Sequence, residues 1–159
     1  MSNEERARRR RDLLREIQQL RALIQVFLRH IIQKDTGHLH LFFTQDWKPT
    51  AHLVSYGHDI EAVWLLIEAS GATGNKKLLE RAEAITVPVA QTFLNEAYVP
   101  GRGVANEKDL HSGKVDNDRH WWPQAEAMVG LQYAFRISGE ERFREAVYEL
   151  WEYIRKYII

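Results

Sequence analysis

Residues 55–80 read Ser55-Tyr56-Gly57-His58-Asp59-Ile60-Glu61-Ala62-Val63-Trp64-Leu65-Leu66-Ile67-Glu68-Ala69-Ser70-Gly71-Ala72-Thr73-Gly74-Asn75-Lys76-Lys77-Leu78-Leu79-Glu80. A polar and aromatic lead-in runs into an apolar helical stretch, a glycine turn interrupts it, and a second helix follows. The pattern returns 65 residues later, where Glu126-Ala127, Leu131, Ala134, Gly139 and Glu145 match Glu61-Ala62, Leu66, Ala69, Gly74 and Glu80. A unit of helix, tight turn and helix cannot bury its apolar face alone, so repeated hairpins stack or close into a ring. The expected class is therefore all-α, built from helical hairpin repeats.

Working outward, residues 1–33 contain neither Gly nor Pro, and Leu13, Leu14, Ile17, Leu20, Leu23, Ile24, Phe27, Leu28 and Ile31 recur at three- and four-residue steps. This predicts a leading amphipathic helix, opened by a Ser2/Glu5 capping box and packing firmly from Leu13. Residues 34–58 read as a loop with some extended character around Leu39–Phe43. Hairpin one is expected over 59–97, with Pro88 kinking or dividing its second helix. Residues 98–122, with Pro100, Gly101, Gly103 and Gly113, read as a long loop, a class often functional in compact domains. Hairpin two spans 123–157, with Pro123 at the first helical position and Ser138/Glu141 capping its second helix. The whole, 1–159, is one domain by length.

Bulk chemistry narrows the partners. The 22 basic and 22 acidic side chains cancel, which disfavours duplex nucleic acid and favours a small molecule or a protein. Arg8–Arg11 reads as a solvated helix face. There is no cysteine, so thiolate metal sites and disulfides are excluded. The charged N-terminus lacks the apolar core of about 7–15 residues that a signal peptide needs. No stretch approaches the ~20 apolar residues of a membrane span. The expected address is the cytoplasm, free of the membrane.

Two lead-ins carry the candidate chemistry. His58 and Glu61 stand three apart at a helix start and share a face, a pairing suited to proton transfer but also common beside helix caps. Trp121 and Trp122 precede Pro123; either both pack, or one packs while the other offers a flat platform to the apolar face of a sugar. Glu126, one turn on, can accept from hydroxyls or pair with Arg119. His38, His40 and His52 match no zinc spacing, so no metal is expected; solvent-facing or structural hydrogen-bonding roles fit them better. His30 has an equally ordinary reading. No nucleophile elbow is present, which removes support for acyl transfer.

The segments Ser55-Tyr56-Gly57-His58-Asp59-Ile60-Glu61-Ala62 with Trp64-Leu65-Leu66, and Asp118-Arg119-His120-Trp121-Trp122-Pro123-Gln124-Ala125-Glu126-Ala127, closely resemble the N-acylglucosamine 2-epimerase superfamily, most of all its cellobiose 2-epimerase members. Thr36-Gly37-His38-Leu39, Leu41-Phe42-Phe43 and Asp46-Trp47 extend the resemblance from about Leu13 to Tyr157. The resemblance implies part, about half, of an (α/α)6 barrel with its site among the loops at one mouth. It implies C2 epimerisation of an aldose, or of the reducing-end sugar of a cellobiose-like disaccharide, through an enediolate. It makes His58 the base, Glu61 its support or a substrate ligand, Trp122 the sugar platform, and Trp64 and Glu126 pocket walls. No metal or organic cofactor is implied.

The matched region is the later-middle part of the barrel. An early arginine and histidine, and the C-terminal histidine that is the family's second proton-transfer group, lie outside it. Half a ring leaves apolar faces open, which predicts a homodimer or a complementary half-barrel as partner. The competing expectations are a non-catalytic sugar-binding or assembly module, and a helical-repeat interaction protein in which His58 and the tryptophans simply pack.

Overall fold

The computed structural model describes all 159 residues. Five α-helices follow one another: α1 Asn3–Val26, α2 Tyr56–Ala72, α3 Lys76–Glu96, α4 Trp121–Ser138 and α5 Glu141–Tyr157. A π-helical turn, Phe27–Ile31, extends α1. Between the helices lie five short strands: β1 Leu53–Ser55, β2 Tyr98–Val99, β3 Gly103–Val104, β4 Glu107–Asp109 and β5 Val115–Asp116. Strands β2 and β3 form an antiparallel pair, and β4 sits between β1 and β5 in an antiparallel sheet. No helix is long and apolar enough to cross a membrane.

The hairpins α2–α3 and α4–α5 turn at Gly74 and Gly139, both in the left-handed region that suits a residue without Cβ. Helices α2 and α4 lie side by side, and positions related by the repeat meet across the seam. Gly57 faces Trp122 and Glu68 accepts from Tyr133, while Ile60 lies against Gly130. Partners ascend together along both helices, so the two run parallel and in register, with both N-termini at one end. The larger core fills this layer with Ile60, Val63, Phe93, Leu131, Phe143 and Leu150 among others.

At Gly130 the backbones of α2 and α4 come close together. A Cβ there would stand 2.5 Å from the Ile60 carbonyl oxygen and 2.6 Å from its Cγ1, and backbone cannot yield as a flexible side chain would. Gly130→Ala is expected to destabilise the fold by about 1–3 kcal/mol, read from the urea midpoint at unchanged slope.

Several local expectations change. The Ser2/Glu5 capping box forms, but residues 1–16 are exposed throughout, Leu13 at 55 %. The first buried side chain is Ile24, because only the C-terminal half of α1 reaches the second core, against Ala62, Leu66, Leu78 and Ala82. Helix α3 continues through Pro88 undivided. Helix α4 opens at Trp121, which puts Pro123 third rather than first. Glu140, not Ser138, holds the N-cap position of α5, without a side-chain capping bond; the Ser138 hydroxyl donates to the Ala134 carbonyl and accepts from Glu140 N–H, closing the turn instead. The 98–122 segment holds β2 to β5, strands of two or three residues that are too short to show a two-residue period.

Candidate functional site

Helix α2 begins at Tyr56, three residues ahead of the expected start, so His58 stands in its first turn. The backbone before it is held by β4: Ser55 pairs with Glu107, and Tyr56 N–H donates to the Asn106 carbonyl at 3.2 Å. Ser55 Oγ lies 2.7 Å from His58 Nδ1, which leaves Nε2 without a protein partner on an exposed ring. The edge of Trp122 meets that ring at 5.1 Å between centroids and 64° between planes. Trp122 lies directly over Gly57, where a Cβ would come within 2.3 Å of the indole.

The five expected site residues therefore gather at one end of the α2/α4 seam. His58, Glu61 and Trp64 come from α2; Trp122 and Glu126 come from α4. Trp64 Nε1–H donates to Glu126 Oε2 at 2.7 Å, whereas Arg119 donates from Nε to the Arg102 carbonyl, so Glu126 serves the indole and not the guanidinium. Burial pushes the Glu61 carboxyl above the usual range, the charge of Glu126 adds to this, and His58 opposes it. Neither tryptophan enters the core: Trp122 is half-buried and Trp121 is 68 % exposed.

The other histidines separate by environment. His30 stacks on Trp47, and His40 meets the edge of Phe43. His52 is exposed. Asp116, Asp118 and His120 bring ligand atoms within 4.8 Å of one another ahead of α4, but the Asp116 carboxylate already accepts from Asn106 Nδ2 and Asp118 N–H.

The profile of the N-acylglucosamine 2-epimerase (GlcNAc 2-epimerase) family matches residues 14–159. The chain belongs to the N-acylglucosamine 2-epimerase family. A cellobiose 2-epimerase of Bacteroides fragilis is 40 % identical over 140 residues, which cover 88 % of this chain and 36 % of that protein. A cellobiose 2-epimerase of Dictyoglomus turgidum is 40 % identical over 137 residues, 86 % of this chain and 34 % of that one. The crystal structure of a sugar epimerase from a ruminal bacterium superposes with a TM-score of 0.84 at 32 % identity, over 89 % of this chain and 36 % of that one. The hairpins are thus part of an (α/α)6 barrel, and the chain spans about a third of the length of the curated relatives it matches.

Within this member of the N-acylglucosamine 2-epimerase family, two parts of the site escaped the sequence. Gln124, fully buried, accepts from Val104 N–H through Oε1 and donates through Nε2 to the Val104 and His120 carbonyls, clamping β3 under the start of α4. His38 and Asp59, 4 % and 2 % exposed, meet at 2.7 Å behind the first turn of α2. Asp59 also accepts from Leu39 N–H, and the far side of the His38 ring lies 3.5 Å from Glu96. The pairing of His38 with Asp59, 21 residues apart, had no sequence signal.

Burial alone would lower the pKa of His38, but the Asp59 hydrogen bond and the Asp59 and Glu96 charges raise it above the ordinary value. Burial likewise pushes Asp59 up against the pull of His38 and of the Leu39 N–H. With two carboxylates facing one ring, the shared proton rests on His38. A histidine held charged in the folded state stabilises fully below its unfolded pKa of about 6.5, and the contribution is lost as pH rises through the folded value. Thermal stability is expected to fall from pH 6.5 towards pH 9, with the slope flattened in His38→Gln; differential scanning calorimetry across that range is the check.

Proposed function

We propose that this chain carries the proton-transfer half of an aldose 2-epimerase site that acts on the reducing-end sugar of a cellobiose-like disaccharide. In this reading His58 takes the C2 proton of the ring-opened sugar, the electron pair passes to the carbonyl oxygen as an enediolate, and a proton returns to C2. Trp122 supplies the flat platform, Glu61 shares the proton or binds a hydroxyl, and the Trp64–Glu126 pair walls the pocket. Proton transfer with stabilisation of an oxyanion calls on no cofactor. One observation carries the reading: an exposed imidazole whose Nδ1 is held by Ser55 and whose Nε2 is free, beside an indole at the mouth of a helical layer.

Inversion at C2 needs a second proton-transfer group on the opposite face, and the chain spans a third of its relatives. Completion of the site therefore falls to further helices, most simply a second copy, or else a complementary part of the barrel. The apolar groove between α1 and α2, lined by Leu20, Leu23, Phe27, Leu65 and Ala69, supports such an association.

The test is incubation with cellobiose in D2O, followed by NMR, alongside molar mass by light scattering. Deuterium at C2 with inversion identifies a completed epimerase. Deuterium with retained configuration identifies one working base, since a lone imidazole can remove and return a proton on one face only. No exchange, with a tryptophan fluorescence response to cellobiose, sinks the catalytic reading in favour of a sugar-binding module. No response of either kind sinks both and leaves an interaction scaffold.

A further inference from the structure

Helix α2 starts without the usual hydroxyl cap. Ser55 occupies the N-cap position, yet its side chain makes no capping bond, because Oγ is engaged with His58 Nδ1. A first turn in that condition frays unless something else restrains it. The residues on either side of His58 supply the restraint. Tyr56 donates from its hydroxyl to Glu96 Oε2 at 3.2 Å, and Asp59 is bound by His38 Nδ1 and Leu39 N–H.

These bonds converge on one imidazole. His38 touches Asp59 of α2 on one side and Glu96 of α3 on the other; Glu96 also receives Lys108 Nζ of β4 at 2.7 Å. The loop bearing His38 is fastened to α3 as well, through Thr92 Oγ1 donating to the Thr36 carbonyl at 3.0 Å. Asp59 follows His58 directly in the first turn of α2, so the carboxylate that His38 holds adjoins the His58 backbone. The charged and titratable groups around His38 are thus Asp59 and His58 on α2, Glu96 on α3, Lys108 on β4, and the Tyr56 hydroxyl.

We propose that His38 is a positioning residue for His58: by bridging Asp59 and Glu96 it fixes the first turn of α2, and so holds the His58 ring on Ser55 and against Trp122. The proposal rests on the reading of His58 as the proton-transfer group, but its test needs no turnover. A ring free to turn would present either nitrogen to substrate, whereas one locked by its Ser55 contact presents Nε2 alone.

The experiment is long-range 1H–15N NMR of the histidine rings in the full chain from pH 6 to pH 10, for the wild type and for His38→Gln, with Thr92→Val as the control. In the wild type, both His38 nitrogens are expected to carry protons at the low end of this range, and one proton to leave as the pH rises. The Nδ1–H to Nε2–H tautomer ratio of His58 should depart from that of free imidazole, and should shift at the pH where His38 loses its proton. In His38→Gln that ratio should relax towards the free value at pH 8 while circular dichroism still reports a folded chain. Thr92→Val, which loosens the same loop without touching the charges, should lower the Tm and leave the His58 ratio unchanged. A His58 ratio indifferent to the titration of His38 overturns the proposal. If His38→Gln does not fold, the wild-type titration decides by itself. Failure of the sugar exchange experiment with this coupling intact would reject the catalytic reading and leave the positioning pair standing.

Discussion

Replacing His58 with alanine is expected to lower C2 deuterium exchange by about 100- to 10,000-fold, the range attached to a positioned general base. The effect should appear in the rate at saturating sugar and much less in binding, because Trp122 and Glu126, the proposed platform and pocket wall, have other partners that hold them. Trp122 lies over Gly57, and Glu126 is held by Trp64. The fold should be barely affected, since the His58 ring is exposed and its loss frees Ser55 Oγ to cap α2. An unchanged exchange rate would move the base elsewhere; a rate loss accompanied by a Tm drop of several degrees would make His58 structural. Cellobiose titrations by tryptophan fluorescence separate binding from rate.

Gln124→Leu is expected to cost about 3 kcal/mol although the two side chains are of similar size. The glutamine is fully buried and satisfies both the N–H and the carbonyl of Val104. Leucine leaves both groups buried and unpaired, at about 1–3 kcal/mol each, with only partial return from its greater apolarity. For a chain of this length that corresponds to a fall in Tm on the order of 10 °C. The loss should be accompanied by faster amide exchange in β2 and β3, because Gln124 is what secures β3 beneath α4. A loss under about 1 kcal/mol would mean that the 103–104 backbone finds other partners and that the clamp is incidental.

The same residue shows where sequence reading stopped. Gln124 lies inside the motif that carries the family resemblance, between Pro123 and Glu126, and nothing in its spacing distinguishes a sugar ligand from a backbone clamp. The distinction depends on Val104, 20 residues earlier, lying opposite it. His38 is a similar case: a loop histidine among three, it differs from His40 and His52 only because Asp59 and Glu96 close around it. Glu126 had two open readings, a hydroxyl or Arg119, and its bond to the Trp64 indole, which was neither, followed from the approach of α2 to α4.

What the sequence determined by itself was the repeat and the identity of the lead-ins. The 65-residue offset dictates two hairpins with glycine turns, because helical periodicity and left-handed turn positions are local properties of the chain. The five candidate residues could be named because the resemblance is carried by contiguous motifs at two helix starts. The tertiary structure alone decided that those starts lie side by side, that Trp122 covers Gly57, and that the first half of α1 buries nothing. It also decided that Ser55 gives its hydroxyl to His58 while a buried histidine and two carboxylates hold the turn in its place. Such outcomes depend on which groups distant in the chain meet once water is excluded, and the cost of burying an unpaired polar group selects among them only in the assembled fold.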